Sequence, residues 1–133
     1  MITLLSDHNC ERQAREILYR LRRLGYGEQL GVEILFFKDV NLSINSNDEE
    51  VWQLCQQNGY YLLTSNRNTK DAETSLHAVL GRLANEKSLP VITIGDPRRV
   101  ISDGVYCQAC AESIMQIIFN AELYLGVPRL YIP

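Results

Sequence analysis

The stretch Ile2-Thr3-Leu4-Leu5-Ser6-Asp7-His8-Asn9 joins a short apolar run directly to a polar break. An apolar run of this length, bounded by turn-forming residues, is typical of a buried strand. Downstream, apolar residues recur at helical spacing with arginines between them, and residues 25–27 end the pattern. The recurring positions are Ala14, Ile17, Leu18, Leu21 and Leu24. The stretch therefore predicts a strand-then-helix unit, the building block of parallel sheets.

The same alternation continues along the rest of the chain. Further strands are predicted at 32–37, 60–64 and 91–94, and residues 130–132 are a candidate for a short final edge strand. Between them lie a helix that begins with the capping signal Asn47-Asp48-Glu49-Glu50, a helix around 76–83 and a last long helix from about 107 to 121. Strands alternating with helices predict an α/β fold with a mostly parallel sheet and helices on both faces.

Length and composition indicate an ordinary globular protein. The 133 residues fit one domain over 1–133, with 46% apolar and 22% charged residues. No apolar run approaches the ~20 residues that span a bilayer, so we expect no membrane partner and a cytoplasmic location. The net charge of −3 excludes a strongly basic nucleic-acid footprint. Local arginines are either a solvated helix face or a rim that contacts phosphates: Arg12, Arg15, Arg20, Arg22 and Arg23.

Four cysteines, Cys10, Cys55, Cys107 and Cys110, are too few and too scattered for a disulfide framework. The Cys107-Gln-Ala-Cys110 spacing is compatible with redox chemistry or zinc binding. However, it falls in a helical apolar pattern, and no second Cys/His pair accompanies it. We therefore predict that both are buried helix residues.

Polar side chains follow each of the first four predicted strands. They are Asp7, Asp39, Asn66 with Asn68, and Asp96. Ligands of open parallel sheets bind at the carboxyl ends of the strands. Oxygen ligands gathered there suit a hard cation such as Mg²⁺ or Mn²⁺. The pattern therefore makes this edge of the sheet a candidate metal site.

Helix capping is the competing interpretation of the same residues. Asp and Asn are favoured before helices because their side chains accept hydrogen bonds from the free backbone N–H groups there. Asp48 and Glu49, at the start of the second helix, suit the positive end of its dipole, but they also lie where they could share the candidate site. The residues alone leave both interpretations open.

Four segments resemble the small PIN-like domains. Residues 4–9, Leu-Leu-Ser-Asp-His-Asn, are similar to the opening of that family, in which the first strand ends in an Asp. Residues 38–42 resemble the stretch after its second strand. Residues 47–51, Asn-Asp-Glu-Glu-Val, resemble its Ser-Asp-Glu-Glu-Ile segment, and residues 62–68 resemble its Leu-Val-Thr-Arg-Asp-x-Asp segment. The matches keep the family's order over residues 2–68.

The resemblance implies a three-layer α/β/α sandwich and a metal-dependent ribonuclease, commonly the toxin of a toxin–antitoxin pair. Carried over by position, Asp7, Asp48 and Asn66 are the catalytic residues and the ligands of Mg²⁺ or Mn²⁺. The implied partners are RNA and an antitoxin or other protein, and a homodimer is also compatible. The substrate-binding candidates beside these positions are Asn9, Arg67 and Asn68.

Asn66 and Asn68 depart from the family, which has acids at these positions. An asparagine offers a carbonyl oxygen but no negative charge, so its attraction for a cation is weaker. Asp71 and Asp96 are candidates to complete the site. Two functions therefore stay open: a metal-dependent ribonuclease, whether weak or fully active, and a degenerate PIN-like domain that binds protein or RNA without cutting.

Overall fold

The computed structural model describes residues 2–25, 31–65 and 75–133 of the chain. They contain a five-stranded sheet, ordered β2-β1-β3-β4-β5, in which every neighbouring pair is parallel. The strands are β1 (Ile2–Ser6), β2 (Val32–Leu35), β3 (Tyr61–Thr64), β4 (Val91–Ile94) and β5 (Arg129–Ile132). The predicted α/β fold with a parallel sheet is confirmed, and so is the final edge strand.

Six α-helices lie in the described part of the chain. They are α1 (Glu11–Arg23), α2 (Asp48–Asn58), α3 (Leu76–Leu83), α4 (Pro97–Ser102), α5 (Gly104–Phe119) and α6 (Ala121–Tyr124). Short 3-10 turns at His8–Cys10 and Phe37–Val40 follow β1 and β2. Over the residues described, no helix has both the length and the apolar character needed to cross a membrane.

The core divides into two layers, one on each face of the sheet. Successive strand residues point to opposite faces. Leu4, Leu63 and Ile92 therefore pack on one side, in a cluster that includes buried residues of α1 and α5. Leu5 and Leu62 pack on the other side, in a cluster that includes buried residues of α2 and α3. This arrangement is the expected α/β/α sandwich, and it makes each strand apolar on both faces.

Two elements of the structure differ from the prediction. The second strand was expected to run to residue 37 but ends at Leu35, because the chain turns into the Phe37–Val40 helix. The Asp39 carboxylate accepts a hydrogen bond from the backbone N–H of Phe36 at 2.8 Å and stabilises this turn. Helix α4 was not predicted. Asp96 caps it with Pro97 in its first turn, and Asp103 then caps α5 separately.

The prediction of buried helix cysteines is confirmed. Cys107 and Cys110 both lie in α5 and belong to the core cluster shared with α1. Burial raises the pKa of the Cys110 thiol to about 12. The reactive form of a cysteine is the thiolate. We therefore expect Cys110 to resist modification by thiol reagents in the native protein.

Gly81 provides a test of the α3 helix. It lies inside the helix, and a Cβ built on it would meet no atom within 4 Å. Because glycine loses more backbone entropy in a helix than alanine does, Gly81→Ala is expected to raise the free energy of unfolding by ~0.5–1 kcal/mol. Urea denaturation measures this change. Gly126→Ala is instead expected to lower the free energy of unfolding. Gly126 has φ +87°, and the added Cβ would lie 2.9 Å from the Glu86 carbonyl oxygen. A loss of stability in Gly81→Ala would contradict the helical assignment.

Candidate active site at the carboxyl edge of the sheet

The strand order creates a crevice between β1 and β3. The chain passes from β1 to β2 on one side and then crosses over to β3 on the other side of β1. In open α/β sheets, ligands bind outside the carboxyl ends of the strands at such a reversal. Asp7 directly follows β1, and Thr64 ends β3. The topology therefore places both residues at this crevice.

Asp7 is held by the sheet rather than used as a helix cap. It precedes the His8–Cys10 turn, but its side chain makes no capping hydrogen bond there. Its carboxylate instead accepts a hydrogen bond from the Thr64 hydroxyl at 2.8 Å. Its backbone N–H donates to the Leu63 carbonyl oxygen, also at 2.8 Å. The structure therefore does not support the interpretation of Asp7 as a helix cap.

A line of polar side chains extends from Asp7 across the sheet. Ser6 pairs with Leu63, which sets Asp7 beside Thr64, and Thr64 pairs with Thr93 of β4. Both threonines are fully buried. Arg129 of β5 donates from Nη1 to the Thr93 hydroxyl oxygen at 3.0 Å. We call these four residues, Asp7, Thr64, Thr93 and Arg129, the polar row. It lies on the face covered by α2 and α3.

Asp48 brings a second carboxylate to the polar row. The cap of α2 is Asn47, whose side chain accepts a hydrogen bond from the Glu50 N–H at 2.9 Å, as predicted. Asp48 is the first residue of the helix, and its carboxylate accepts a hydrogen bond from the backbone N–H of Leu76 at the start of α3. It also lies within electrostatic reach of Arg129 and of Asp7. The charges of Asp7 and Asp48 are thus close enough to interact.

A bound cation would stabilise the ionised forms of both Asp7 and Asp48. Burial raises the pKa of Asp7, the Thr64 hydrogen bond lowers it, and the charge of Asp48 raises it again. Burial also raises the pKa of Asp48, against the lowering effects of the Leu76 N–H and of Arg129. In each case the net direction is upward, so the ionised pair is costly in the metal-free protein. A proton or a metal ion would relieve that cost.

Two carboxylates are a sufficient protein contribution for Mg²⁺, which retains several waters and is usually held by one or two carboxylates together with substrate phosphates. Over the ranges that the structure describes, no group of three or more His, Cys, Asp or Glu side chains could hold a metal. Asp7 and Asp48 offer carboxylate oxygens, the donors that a hydrated hard cation prefers.

The other predicted residues have different surroundings. Asn9 lies at the mouth of the crevice, where its Oδ1 is 3.3 Å from the Ser65 hydroxyl. The Asp96 carboxylate accepts from the Arg99 N–H, so it caps α4. Asp39 and Asp96 both accept backbone N–H groups, as the capping interpretation predicts. The remaining predicted residues lie outside the described part of the chain: Asn66, Arg67, Asn68 and Asp71.

Three members of the polar row were not identified from the sequence. Thr64 and Thr93 end or interrupt apolar strands, where a hydroxyl must find a hydrogen-bond partner once it is buried. Arg129 opens an edge strand next to apolar residues. A charged residue at such a position is a weak signal, since edge strands often carry charges that protect against aggregation.

Fold and site together define a doubly wound α/β protein with a pair of carboxylates at its topological switch point. Comparisons with protein-family models, with curated proteins and with solved structures gave no match. The geometry of the polar row and of Asp48 is therefore the basis for assigning a function.

Proposed function

We propose that this chain is a Mg²⁺- or Mn²⁺-dependent ribonuclease of the PIN-like kind that hydrolyses RNA phosphodiesters. One observation carries the proposal. The Asp7 carboxylate lies at the switch point, is oriented by the Thr64 hydroxyl and shares its electrostatic environment with Asp48. An acid pair with raised pKa values in a crevice is the arrangement expected of a functional site rather than of a cap.

In this proposal Asp7 and Asp48 hold the cation through carboxylate oxygens. When bound, such a cation activates water and stabilises negative charge on a phosphodiester. Thr64 fixes the rotamer of Asp7 by donating its hydroxyl proton. Arg129 is a half-buried positive charge that interacts with the Asp48 carboxylate, and its guanidinium suits a phosphate oxygen. The chain thus supplies groups of both signs that a phosphodiester site requires.

The resemblance of the sequence to PIN-like domains supplies the other functional residues of the proposal. Asn66 is the third ligand, and Asn9, Arg67 and Asn68 contact the RNA. We also place the protein in the cytoplasm, with an antitoxin or another protein as a regulatory partner. Asn9 is hydrogen-bonded to Ser65, the residue after β3, so a contact of Asn9 with RNA would adjoin the crevice.

Cleavage of end-labelled single-stranded RNA tests the proposal. The wild type should cut in Mn²⁺ and not in EDTA, and Asp48→Asn should lose most of that activity. Asp39→Asn is the matched control, because it removes a carboxylate from the same edge while asparagine caps about as well as aspartate. Absence of metal-dependent cleavage by pure wild-type protein, or equal cleavage by Asp48→Asn, would overturn the proposal.

A second function is favoured by the charge of the site. Arg129 offsets part of the charge of Asp48, and Asn66 provides no charge of its own. Both features weaken attraction for a cation and suit a PIN-like module that binds RNA or protein without cutting. RNA binding with no cleavage at any Mn²⁺ concentration would support this alternative over the ribonuclease.

Asn66→Asp separates a degenerate ligand from a loop residue. If Asn66 faces Asp7, the substitution adds a third charge, which lowers the stability of the metal-free protein by repulsion. Mn²⁺ should then raise the Tm more in Asn66→Asp than in the wild type, because an ion that binds only the folded state stabilises it. Thermal melts of both proteins, with and without millimolar Mn²⁺, measure the difference. Equal metal shifts would remove Asn66 from the site.

A further inference from the structure

A solvent-open pocket lies between α3 and the edge strand β5. It has a volume of about 390 Å³ and is lined by His77, Leu80, Gly81, Pro128, Arg129 and Tyr131. Arg129 is the residue that this pocket shares with the polar row. The pocket is therefore next to the candidate active site, and a ligand that lies against its Arg129 wall would contact the polar row.

The position of Arg129 sets the kind of ligand that the pocket can take. Its guanidinium donates to the Thr93 hydroxyl on one side and lies within electrostatic reach of Asp48. Burial lowers the pKa of Arg129, but arginine remains protonated in proteins. A half-buried positive charge at the wall of a pocket favours an anionic ligand group, and a guanidinium matches the geometry of phosphate oxygens.

Tyr131 adds a flat aromatic surface at the same wall. Its side chain is 53% exposed, although it lies in a strand and is paired in register with buried Thr93. The Arg129 guanidinium carbon is 6.0 Å from the centre of its ring. An exposed aromatic ring next to an arginine is the combination on which unpaired bases stack in proteins that bind single-stranded nucleic acid.

We propose that this pocket binds one nucleotide of a single-stranded RNA, with its base against Tyr131 and a phosphate at Arg129. The proposal rests on the proposed ribonuclease function, to which it adds a defined nucleotide subsite between α3 and β5. A base held in a duplex could not reach the Tyr131 ring, since stacking there requires an unstacked base.

Gly81 allows the pocket to be filled without altering the polar row. It lines the pocket from α3, and the space around its Cβ position is open. Gly81→Leu should therefore place a side chain in the pocket, while Gly81→Ala, a smaller change at the same position, should leave it largely open. Tyr131→Leu removes the ring but keeps an apolar side chain, and Tyr131→Phe keeps the ring.

The test is fluorescence polarisation with a short labelled single-stranded RNA in EDTA, so that no cleavage occurs. Tyr131→Leu is expected to weaken binding about 5- to 150-fold, the range that corresponds to the ~1–3 kcal/mol of one base–aromatic stack. Gly81→Leu should weaken binding similarly, whereas Tyr131→Phe and Gly81→Ala should bind like the wild type. The same RNA annealed to its complement should bind less tightly than the single strand.

The outcomes separate this inference from the proposed function. If the wild type cleaves RNA in Mn²⁺ but Tyr131→Leu and Gly81→Leu bind RNA as tightly as it does, the subsite is wrong and the ribonuclease stands. If binding depends on Tyr131 and Gly81 as expected but no cleavage occurs, the subsite stands and the ribonuclease is wrong. Absence of any RNA binding by the folded wild type would overturn the subsite.

Discussion

Asp7→Asn is expected to reduce the rate of metal-dependent RNA hydrolysis at least ~100-fold. A metal ion contributes several kcal/mol of charge stabilisation to such a reaction, and each ~1.4 kcal/mol is tenfold in rate. Asparagine has nearly the same size and can still accept the hydrogen bond that Thr64 donates. The loss would therefore come from the missing negative charge and not from a rearranged crevice.

The same substitution should stabilise the metal-free protein at neutral pH. Because the pKa of Asp7 is higher in the folded protein than its ordinary value, ionised Asp7 costs stability above that pKa. The Tm advantage of Asp7→Asn should shrink as the pH falls through the folded-state pKa, since the wild-type carboxyl then becomes neutral as well. Thermal melts in EDTA across the acidic range measure this.

Asp39→Asn is again the control for Asp7→Asn. It should change neither the cleavage rate nor the response to Mn²⁺, since the Asp39 carboxylate accepts from the Phe36 N–H and is not among the charges that shift the pKa of Asp7 or of Asp48. If Asp7→Asn kept wild-type activity, Asp7 would not be a ligand. If it lowered the Tm in EDTA, the ionised Asp7 carboxylate would stabilise the folded protein, which is the opposite of what its raised pKa predicts.

Thr64→Val is the second change with a large expected effect. Valine has nearly the same shape but cannot donate a hydrogen bond, so the half-buried Asp7 carboxylate loses its hydroxyl partner. Hydrogen bonds to charged groups contribute ~1.5–3 kcal/mol, and we expect the free energy of unfolding to fall by about this amount at neutral pH. Urea denaturation measures it.

The loss in Thr64→Val should depend on pH. The Thr64 hydrogen bond lowers the pKa of Asp7, so its removal raises the folded-state pKa further and increases the cost of the ionised form. Below the ordinary carboxylate pKa, where Asp7 is neutral in both states, the destabilisation should become smaller. Thr93→Val is the matched control, since its buried hydroxyl accepts from Arg129, which does not titrate in this range. A loss for Thr64→Val that is the same at every pH would show that Thr64 does not act through the charge of Asp7.

The fold was predictable because its strands carry a simple signal. A parallel sheet covered on both faces needs strands that are apolar throughout, and residues 2–5 and 91–94 are continuous apolar or β-branched runs. Helix α4 was missed because it is only six residues long and its apolar residues merge with those of α5. The Asp96-Pro97 cap is the one feature of the sequence that indicates this helix.

The candidate site was only partly predictable. Asp7 and Asp48 were found because each lies next to the end or start of an element, a position that can be read along the chain. Thr64, Thr93 and Arg129 come together through the register of β3, β4 and β5. Register depends on pairing between strands distant in sequence, so the polar row has no local signal. Asp39 and Asp96 carry the same local signal as Asp7 but serve as caps.

Calorimetric titration of Mn²⁺ into the metal-free protein tests the shared cation most directly. The wild type should bind one ion, and the apparent affinity should fall as the pH is lowered towards the raised pKa values of Asp7 and Asp48, since a carboxylate must be deprotonated to bind a metal. Asp7→Asn and Asp48→Asn should each bind far more weakly, and Asp39→Asn should bind like the wild type. Equal Mn²⁺ affinity in the wild type and Asp7→Asn would contradict the claim that these two carboxylates hold one cation.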